Sequence, residues 1–338
     1  MFSPGRLRAA VDRFRGKTVL VVGDLIADEY IYGKPSRISR EAPVLILRFL
    51  SREVRLGGAA NASHNVHALG ARVIPVGVLG TDPAGDEVLG LCRSVGIPTE
   101  GVVRTGERTT PVKTRIMAGG YQSTRQQVVR VDREPVPVLD PRSEETLIKR
   151  VATLGATADA ILLSDYGYGL LTPAIVEQVM TVARQHGGLV TADSRYDLLR
   201  FRGVTAATPN EPEVEELVGS SLEDEPAAEK AGRELLERLD CRYLLVTRGS
   251  RGMALIEREG PATFLPIHGT DEIADVTGAG DTVISTFTVA LAAGSLPVEA
   301  AWLANVAGGV VVMKRGTAPI ARAELLHALA SDGTPREP

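Results

Sequence analysis

Runs of Val, Ile and Leu recur at 18–23, 73–79, 160–164, 189–192, 205–208 and 243–247. They are apolar at consecutive positions rather than alternate ones, the pattern of strands covered on both faces in a parallel sheet. Between them lie helix-length stretches, among them 172–186, 227–239, 279–293 and 298–313. This alternation predicts one α/β domain spanning residues 1–338: a doubly wound, mostly parallel sheet with helices on both faces.

Two segments break the rhythm. Residues 30–54 hold a strand-like run at 44–50, and residues 108–132 hold two more, at 111–117 and 127–131, with Ala118-Gly119-Gly120 able to turn between them. The four-residue run Val44-Leu45-Ile46-Leu47 is too apolar for a free sheet face. We expect the two segments to pair into a small β-sheet lid packed on the domain or on a second copy of the chain. The tail, 331–338, is small, polar and Pro-rich, the composition of a disordered end.

Between Thr282 and Met313 the only charge is Glu299, but Gly294-Ser295-Leu296-Pro297 splits the run. Two buried helices joined by a turn are expected, not a membrane span, which needs about 20 unbroken apolar residues. The first 15 residues carry four Arg without an apolar core, which reads as a surface helix and not a leader.

Composition narrows the function classes. At 44% hydrophobic and 24% charged, the chain is an ordinary globular one. A net charge of −4 and a pI near 5.9 supply no field for nucleic acid or an anionic membrane, so a bound phosphate must be held locally. Cys92 and Cys241 form no framework of disulfides and no CxxC, which fits a reducing cytoplasm. His64 and His67 share a helix face without a carboxylate or thiol near in sequence, and read as ordinary helix residues.

The predicted strands run into Asp24, Ser164-Asp165, Asp193, Asn210 and Thr247-Arg248-Gly249, and ligands of open α/β sheets bind beyond carboxyl ends. Each alone is equally a helix cap. The sharpest local signal is Asp275-Val276-Thr277-Gly278-Ala279-Gly280-Asp281-Thr282, ahead of an apolar helix. Small residues and helix N-terminal amides make an anion site, and a carboxylate beside it fits a base in phosphoryl transfer. A glycine turn with Asp281 capping the helix fits the same residues. No P-loop, dinucleotide fingerprint or hydrolase elbow is present.

Thr277-Gly278-Ala279-Gly280-Asp281 resembles the second signature of the ribokinase-like (PfkB) sugar kinases, and Leu56-Gly57-Gly58-Ala59-Ala60-Asn61 resembles the first. Thr208-Pro209-Asn210-Glu211-Pro212-Glu213 is similar to their nucleotide and magnesium motif, and Val246-Thr247-Arg248-Gly249 to their phosphate-contacting turn. The resemblance runs in order from about Lys17 to Ala328. Within the family it is nearest to the kinase halves of bacterial bifunctional ADP-heptose synthesis proteins, through Val21–Asp24, Ser36–Ser39, Glu41–Val44, Arg55–Asn61, Lys113–Arg115, Ser164–Tyr166 and 275–283. Arg40, Tyr168 and Asp193-Ser194-Arg195 stand where that subfamily has Pro, Lys and Asp-Pro-Lys. No nucleotidyltransferase half is found within the 338 residues.

The resemblance implies an ATP- and Mg²⁺-dependent kinase acting on heptose 7-phosphate, or on another sugar such as ribose or fructose, with a silent sensor as the alternative class. Asp281 becomes the base, with Gly278, Ala279 and Gly280 forming the anion hole. Asn210, Glu213, Thr247, Gly249, Thr277 and Asn305 face the nucleotide, Glu213 reaching Mg²⁺ through water. Asp275, with Thr277, matches a monovalent-cation position, which suggests K⁺. Asp24, Gly57, Gly58, Asn61, Lys113, Arg115, Arg130 and Asp165 face the sugar. A homodimer joined through the lid is expected, and neither nucleic acid nor membrane as a partner.

Overall fold

The structure, a computed structural model, describes residues 4–119, 126–136, 138–269 and 274–331. The expected turn at Gly120 lies outside them, as do residues 332–338 of the tail, whereas Ser331 ends the last helix.

The larger sheet contains β1 (Thr18–Gly23), β4 (Arg72–Gly80), β5 (Val102–Thr105), β8 (Ala160–Asp165), β9 (Leu189–Ser194), β10 (Ala206–Ala207), β11 (Tyr243–Thr247), β12 (Met253–Glu257) and β13 (Thr263–Leu265). Its order is β13-β12-β11-β10-β9-β8-β1-β4-β5. All neighbours are parallel except β12 and β13, which close one edge antiparallel. The consecutive apolar residues follow from burial on both faces: Val19 and Val21 join one core, Leu20 and Val22 the other.

Helices cover each face. On the first lie α1 (Pro4–Asp12), α2 (Ala59–Ala68), α3 (Pro83–Ser94), α8 (Ala279–Ala292), α9 (Pro297–Val311) and α10 (Arg322–Ser331). On the second lie α4 (Pro141–Gly155), α5 (Pro173–His186), α6 (Glu211–Val218) and α7 (Glu225–Leu239). Several start with one device, a side-chain cap followed by proline. The carboxylate of Asp82 accepts from the Gly85 amide at 2.8 Å, Asp140 from Ser143 at 2.9 Å and Asp224 from Ala227 at 2.8 Å. The apolar stretch after Thr282 is the pair α8 and α9, with every residue of α8 from Asp281 to Ala290 buried. No described helix is long and apolar enough to cross a membrane. The N-terminal helix buries Leu7, Ala10 and Val11, so only part of it faces solvent.

The two irregular segments form one four-stranded sheet, ordered β3-β2-β6-β7, from β2 (Leu25–Ile38), β3 (Leu45–Gly58), β6 (Val112–Ala118) and β7 (Gln126–Arg133). It begins earlier than position 30 because β2 continues from β1 across Asp24, and β3 runs on to Gly58. Burial declines along β2: Leu25 to Tyr30 lie in the body, whereas Lys34 to Ile38 are exposed. The run 44–50 does not pack on the domain; Phe49 is 67% exposed and Leu45 43%.

Candidate active site

Register makes the site. Gly23 of β1 pairs with Ser164 of β8, and Ser164 with Asp193 of β9, so the residues that follow align in one row at the carboxyl end. Asn210 and Thr247 extend the row through a parallel bridge between the ends of β10 and β11. The N-terminus of α8 faces this row.

Asp281 occupies the first turn of α8 and is 2% exposed. Its Oδ2 accepts a hydrogen bond from Asn61 Nδ2 on α2 (2.7 Å), and its Oδ1 accepts from the Tyr166 hydroxyl after β8 (3.0 Å). Burial pushes its carboxyl up to about 7, against the pull of those two donors. Gly278 caps α8 at φ +80°, and a Cβ there would lie 2.7 Å from Asn61 Nδ2, so only glycine serves. Of the three residues expected to form an anion hole, Ala279 donates its amide to the Val276 carbonyl at 3.2 Å. The amides of Gly278 and Gly280 have no backbone acceptor among the described residues outside the helix. Asp275 Oδ1 accepts from both the amide and hydroxyl of Thr277 (2.9 and 2.7 Å) and its Oδ2 from the Gly316 amide (2.8 Å), which braces the turn.

A cavity of about 270 Å³ opens between this turn and the lid, lined by Asp281, Gly278, Thr277, Gly58, Lys113, Arg115 and Arg130 among the expected residues. Asp28, Tyr166, Arg195 and Thr317 also line it. Arg115 Nη1 donates to Asp28 Oδ1 at 2.6 Å, and Gly57 packs so closely on that carboxylate that a Cβ would lie 2.7 Å from it. Lys113 Nζ donates to the Tyr168 hydroxyl at 2.7 Å and is 3.4 Å from Asp132. Arg130 holds Asp132 through two contacts of 2.9 Å. Arg195 lies over Tyr196, 5.9 Å from its ring centre, and makes no salt bridge among the described residues.

Two expected sugar readers, Asp24 and Asp165, lie outside the cavity lining, and Asp24 Oδ1 accepts no hydrogen bond among the described residues. Asp24 Oδ2 accepts from the backbone amides of Tyr166 (2.9 Å) and Tyr168 (3.3 Å), and burial raises its carboxyl to about 6. Asp165 accepts from the Gly167 amide and the Ser194 hydroxyl (3.2 and 2.7 Å). Neither lines the cavity; the strand-end rule found their place but not their partners. Asp28 was passed over because it lies inside β2, where the signal was two adjacent acids, Asp28 and Glu29, in an otherwise apolar run.

Of the residues expected to face the nucleotide, Asn210 and Thr247 lie along the row. Asn210 and Glu213 form a reciprocal capping box of 2.9 Å bonds at the start of α6. Thr247 donates its amide to the Pro209 carbonyl at 2.9 Å, and Gly249 turns at φ +56° into open space. Asn305 on α9 donates to the Pro266 carbonyl at 2.7 Å. The carboxyl of half-buried Asp193 is raised to about 8 by burial and by the carboxylates of Asp281 and Glu213, a local excess of negative charge. Among the described residues no cluster of three or more His, Cys, Asp or Glu stands as a metal site.

A buried carboxylate at a glycine-rich helix start, between a row of strand ends and a sheet that carries cations, is the arrangement expected of a sugar kinase. Residues 17–323 match the pfkB family of carbohydrate kinases, and the chain belongs to that family. It is 41% identical over 329 residues to bifunctional protein HldE of Mesorhizobium japonicum, covering 97% of this chain and 65% of that protein. With HldE of Geobacter sulfurreducens it shares 40% over 311 residues, covering 92% and 62%. The chain thus spans just under two thirds of the length of these curated relatives. The fold is that of Escherichia coli phosphofructokinase-2 in complex with substrates and products (TM-score 0.77, 16% identity, 93% of this chain and 99% of that one). It is also that of Arabidopsis thaliana ribokinase complexed with ribose and ATP (TM-score 0.71, 20%, 93% and 98%).

The elevated Asp281 carboxyl has a consequence for stability. The folded chain keeps this proton up to about pH 7, whereas the unfolded chain releases it near 3.8, so stability falls as the pH rises through that window. Asp281→Asn should therefore stabilise the protein more at pH 8 than at pH 5, read as the change in melting temperature at each pH; an equal change at both would mean the carboxyl is not elevated.

Proposed function

We propose that the chain transfers the γ-phosphoryl group of ATP to a hydroxyl of a phosphorylated sugar, with D-glycero-β-D-manno-heptose 7-phosphate as the acceptor and its C1 hydroxyl as the nucleophile. One observation carries this reading: the cavity that holds the base also holds more positive charge than its own acids engage. Asp28 is met by Arg115, and Lys113 and Arg130 share the single carboxylate of Asp132, which leaves a surplus of cations, Arg195 among them, facing the cavity. A neutral sugar has no use for them; a sugar carrying a phosphate does. The motif resemblance to heptose kinases at 21–24, 36–39, 41–44, 55–61 and 113–115 supports the heptose.

In this reading Asp281 accepts the proton of the attacking hydroxyl, and a carboxyl held near 7 suits a base working near neutrality. Asn61 and Tyr166 keep its two oxygens aimed. The amides of Gly278 and Gly280 receive the charge of the transferred group, each such donor being worth about 3 kcal/mol at a transition state. Asn210, Thr247, Gly249 and Asn305 border the nucleotide. The oxygen donors suit Mg²⁺, a hard cation that keeps much of its water; Glu213 would hold it through water, and bound Mg²⁺ neutralises phosphate charge. The negative surroundings of Asp193 fit a cation there. Asp275 and Thr277 are retained as the K⁺ position; Asp275 accepts three hydrogen bonds and has a further lone-pair site to share. The lid excludes water from the transfer.

We further propose a cytoplasmic homodimer joined through the lid. Ile38, Leu45, Phe49, Val129 and Val131 are exposed on a sheet standing off the body, a patch suited to a second copy. Light scattering at micromolar concentration should give twice the chain mass, and a monomer mass would remove the dimer. The substrate is tested by ADP release with Mg-ATP against heptose 7-phosphate, fructose 6-phosphate, ribose and fructose. Turnover on the heptose phosphate above the rest is expected. Preference for fructose 6-phosphate would move the substrate, preference for an unphosphorylated sugar would overturn the role of Lys113 and Arg195, and no turnover on any would favour a sensor.

A further inference from the structure

The loop after β8 carries Tyr166 and Tyr168, two residues apart, and their hydroxyls reach two different functional groups. Tyr166 donates to Asp281 Oδ1 at 3.0 Å, and Tyr168 accepts from Lys113 Nζ at 2.7 Å, with the ammonium 5.2 Å from the centre of the Tyr168 ring. The loop itself is pinned from below. Asp24 binds the amides of both tyrosines, Asp165 binds the amide of Gly167 between them, and Arg108 Nη2 donates to the Tyr168 carbonyl at 2.5 Å. Gly167 and Gly169 take φ of +78° and +77°, which sends alternate side chains into the site.

We infer that this loop is a positioning element in which Tyr166 orients the base Asp281 and Tyr168 orients Lys113 toward the anionic end of the substrate, with Asp24 and Asp165 fixing the spacing between them. Neither tyrosine need touch reacting atoms; each acts through the group it holds. The inference rests on the reading of Asp281 as base and Lys113 as phosphate ligand. A hydroxyl donated to a carboxylate favours its ionised form, so Tyr166 opposes the burial that raises Asp281. Other groups face that carboxylate as well: Asn61 from α2, Asp28 from β2, Asp193 from β9, and across the cavity Lys113 and Arg115 from β6, Arg130 from β7 and Arg195. Tyr168 adds no charge, but its hydroxyl oxygen accepts from the ammonium of Lys113 and so favours the charged form, which burial otherwise disfavours.

Two conservative variants test the two halves. In Tyr166→Phe the titration of the Asp281 carboxyl, followed by ¹³C NMR, and the acidic limb of kcat/KM should both move to higher pH by about one unit, the size of one hydrogen bond to a charged group. Curves that superimpose on wild type would overturn the role of Tyr166. Tyr168→Phe keeps the ring and removes the oxygen. It should raise KM roughly tenfold for heptose 7-phosphate, or for whichever phosphorylated sugar of the panel turns over, with kcat and the KM for ATP changing far less. An unchanged sugar KM, or equal losses for sugar and ATP, would overturn the role of Tyr168. Asp281→Asn separates this inference from the one beneath it. Full turnover in that variant removes the base assignment; turnover lost by about 10² to 10⁴ beside an unmoved Tyr166→Phe profile removes the positioning role alone.

Discussion

The site is organised around one buried carboxylate at the start of a helix that cannot move. Asp281 is buried among Asn61, Tyr166 and the glycine turn, and the ten residues from Asp281 to Ala290 are all buried. Two opposing effects meet there. Water is excluded, which disfavours the charge, while the helix N-terminus and two donated hydrogen bonds favour it. The balance leaves a carboxyl near 7, neither a permanent anion nor a permanent acid. The rest of the architecture serves this balance: α2 brings Asn61, β8 brings the tyrosine loop, and Gly278 is small enough to let Asn61 approach.

The lid is a sheet with two characters along its length. Near the body it buries Asp28, Glu29, Lys113, Thr114 and Arg115, polar groups that a structural sheet would avoid. They are paired: Asp28 with Arg115, and Glu29 with Arg52 and the Thr114 hydroxyl, each at 2.5 to 2.6 Å. Buried ion pairs contribute little net stability, because desolvation offsets most of their attraction. What they provide is a fixed pattern of charge above the carboxylate. Toward its tip the same sheet exposes Ile38, Leu45 and Phe49. Continuous strands carry both the charged base and the exposed apolar tip.

Much of the fold was legible because burial on both faces writes consecutive apolar residues into a strand. The strand of 18–23 was legible to the residue, and 172–186 fell one residue from α5, the difference being its cap Thr172. The lid was legible as a departure from this rhythm, but its start was not, because β2 continues β1 and shares its apolar character as far as Tyr30. The same continuity hid Asp28. A rule that looks just beyond strand ends selects Asp24, and the chain places the cavity-lining carboxylate four residues further on, where the strand has changed sheets. The glycine turn and Asp281 were found because small residues before an apolar helix need little tertiary information to interpret. The partners of Asp24 and Asp165 are backbone amides, which leave no trace in residue identity.

The polarity of the cavity explains why the substitutions at Tyr168 and Arg195 are compatible with one another. Lys113 stands beside Tyr168, while Arg195 comes from the strand row rather than the lid, so positive charge reaches the cavity from two directions. A tyrosine at 168 brings one positive charge fewer than the lysine of the resembling subfamily and instead holds Lys113 through its hydroxyl, while Arg195 keeps a positive charge on the other side of the cavity. On the proposed reading, an acceptor with a hydroxyl at one end and a phosphate at the other would lie with its anionic end toward the cations and its hydroxyl toward the carboxylate. If the carboxylate is the base, specificity in such a site follows from its distance to the cations, a distance fixed by the loop after β8 on one side and the four-stranded sheet on the other.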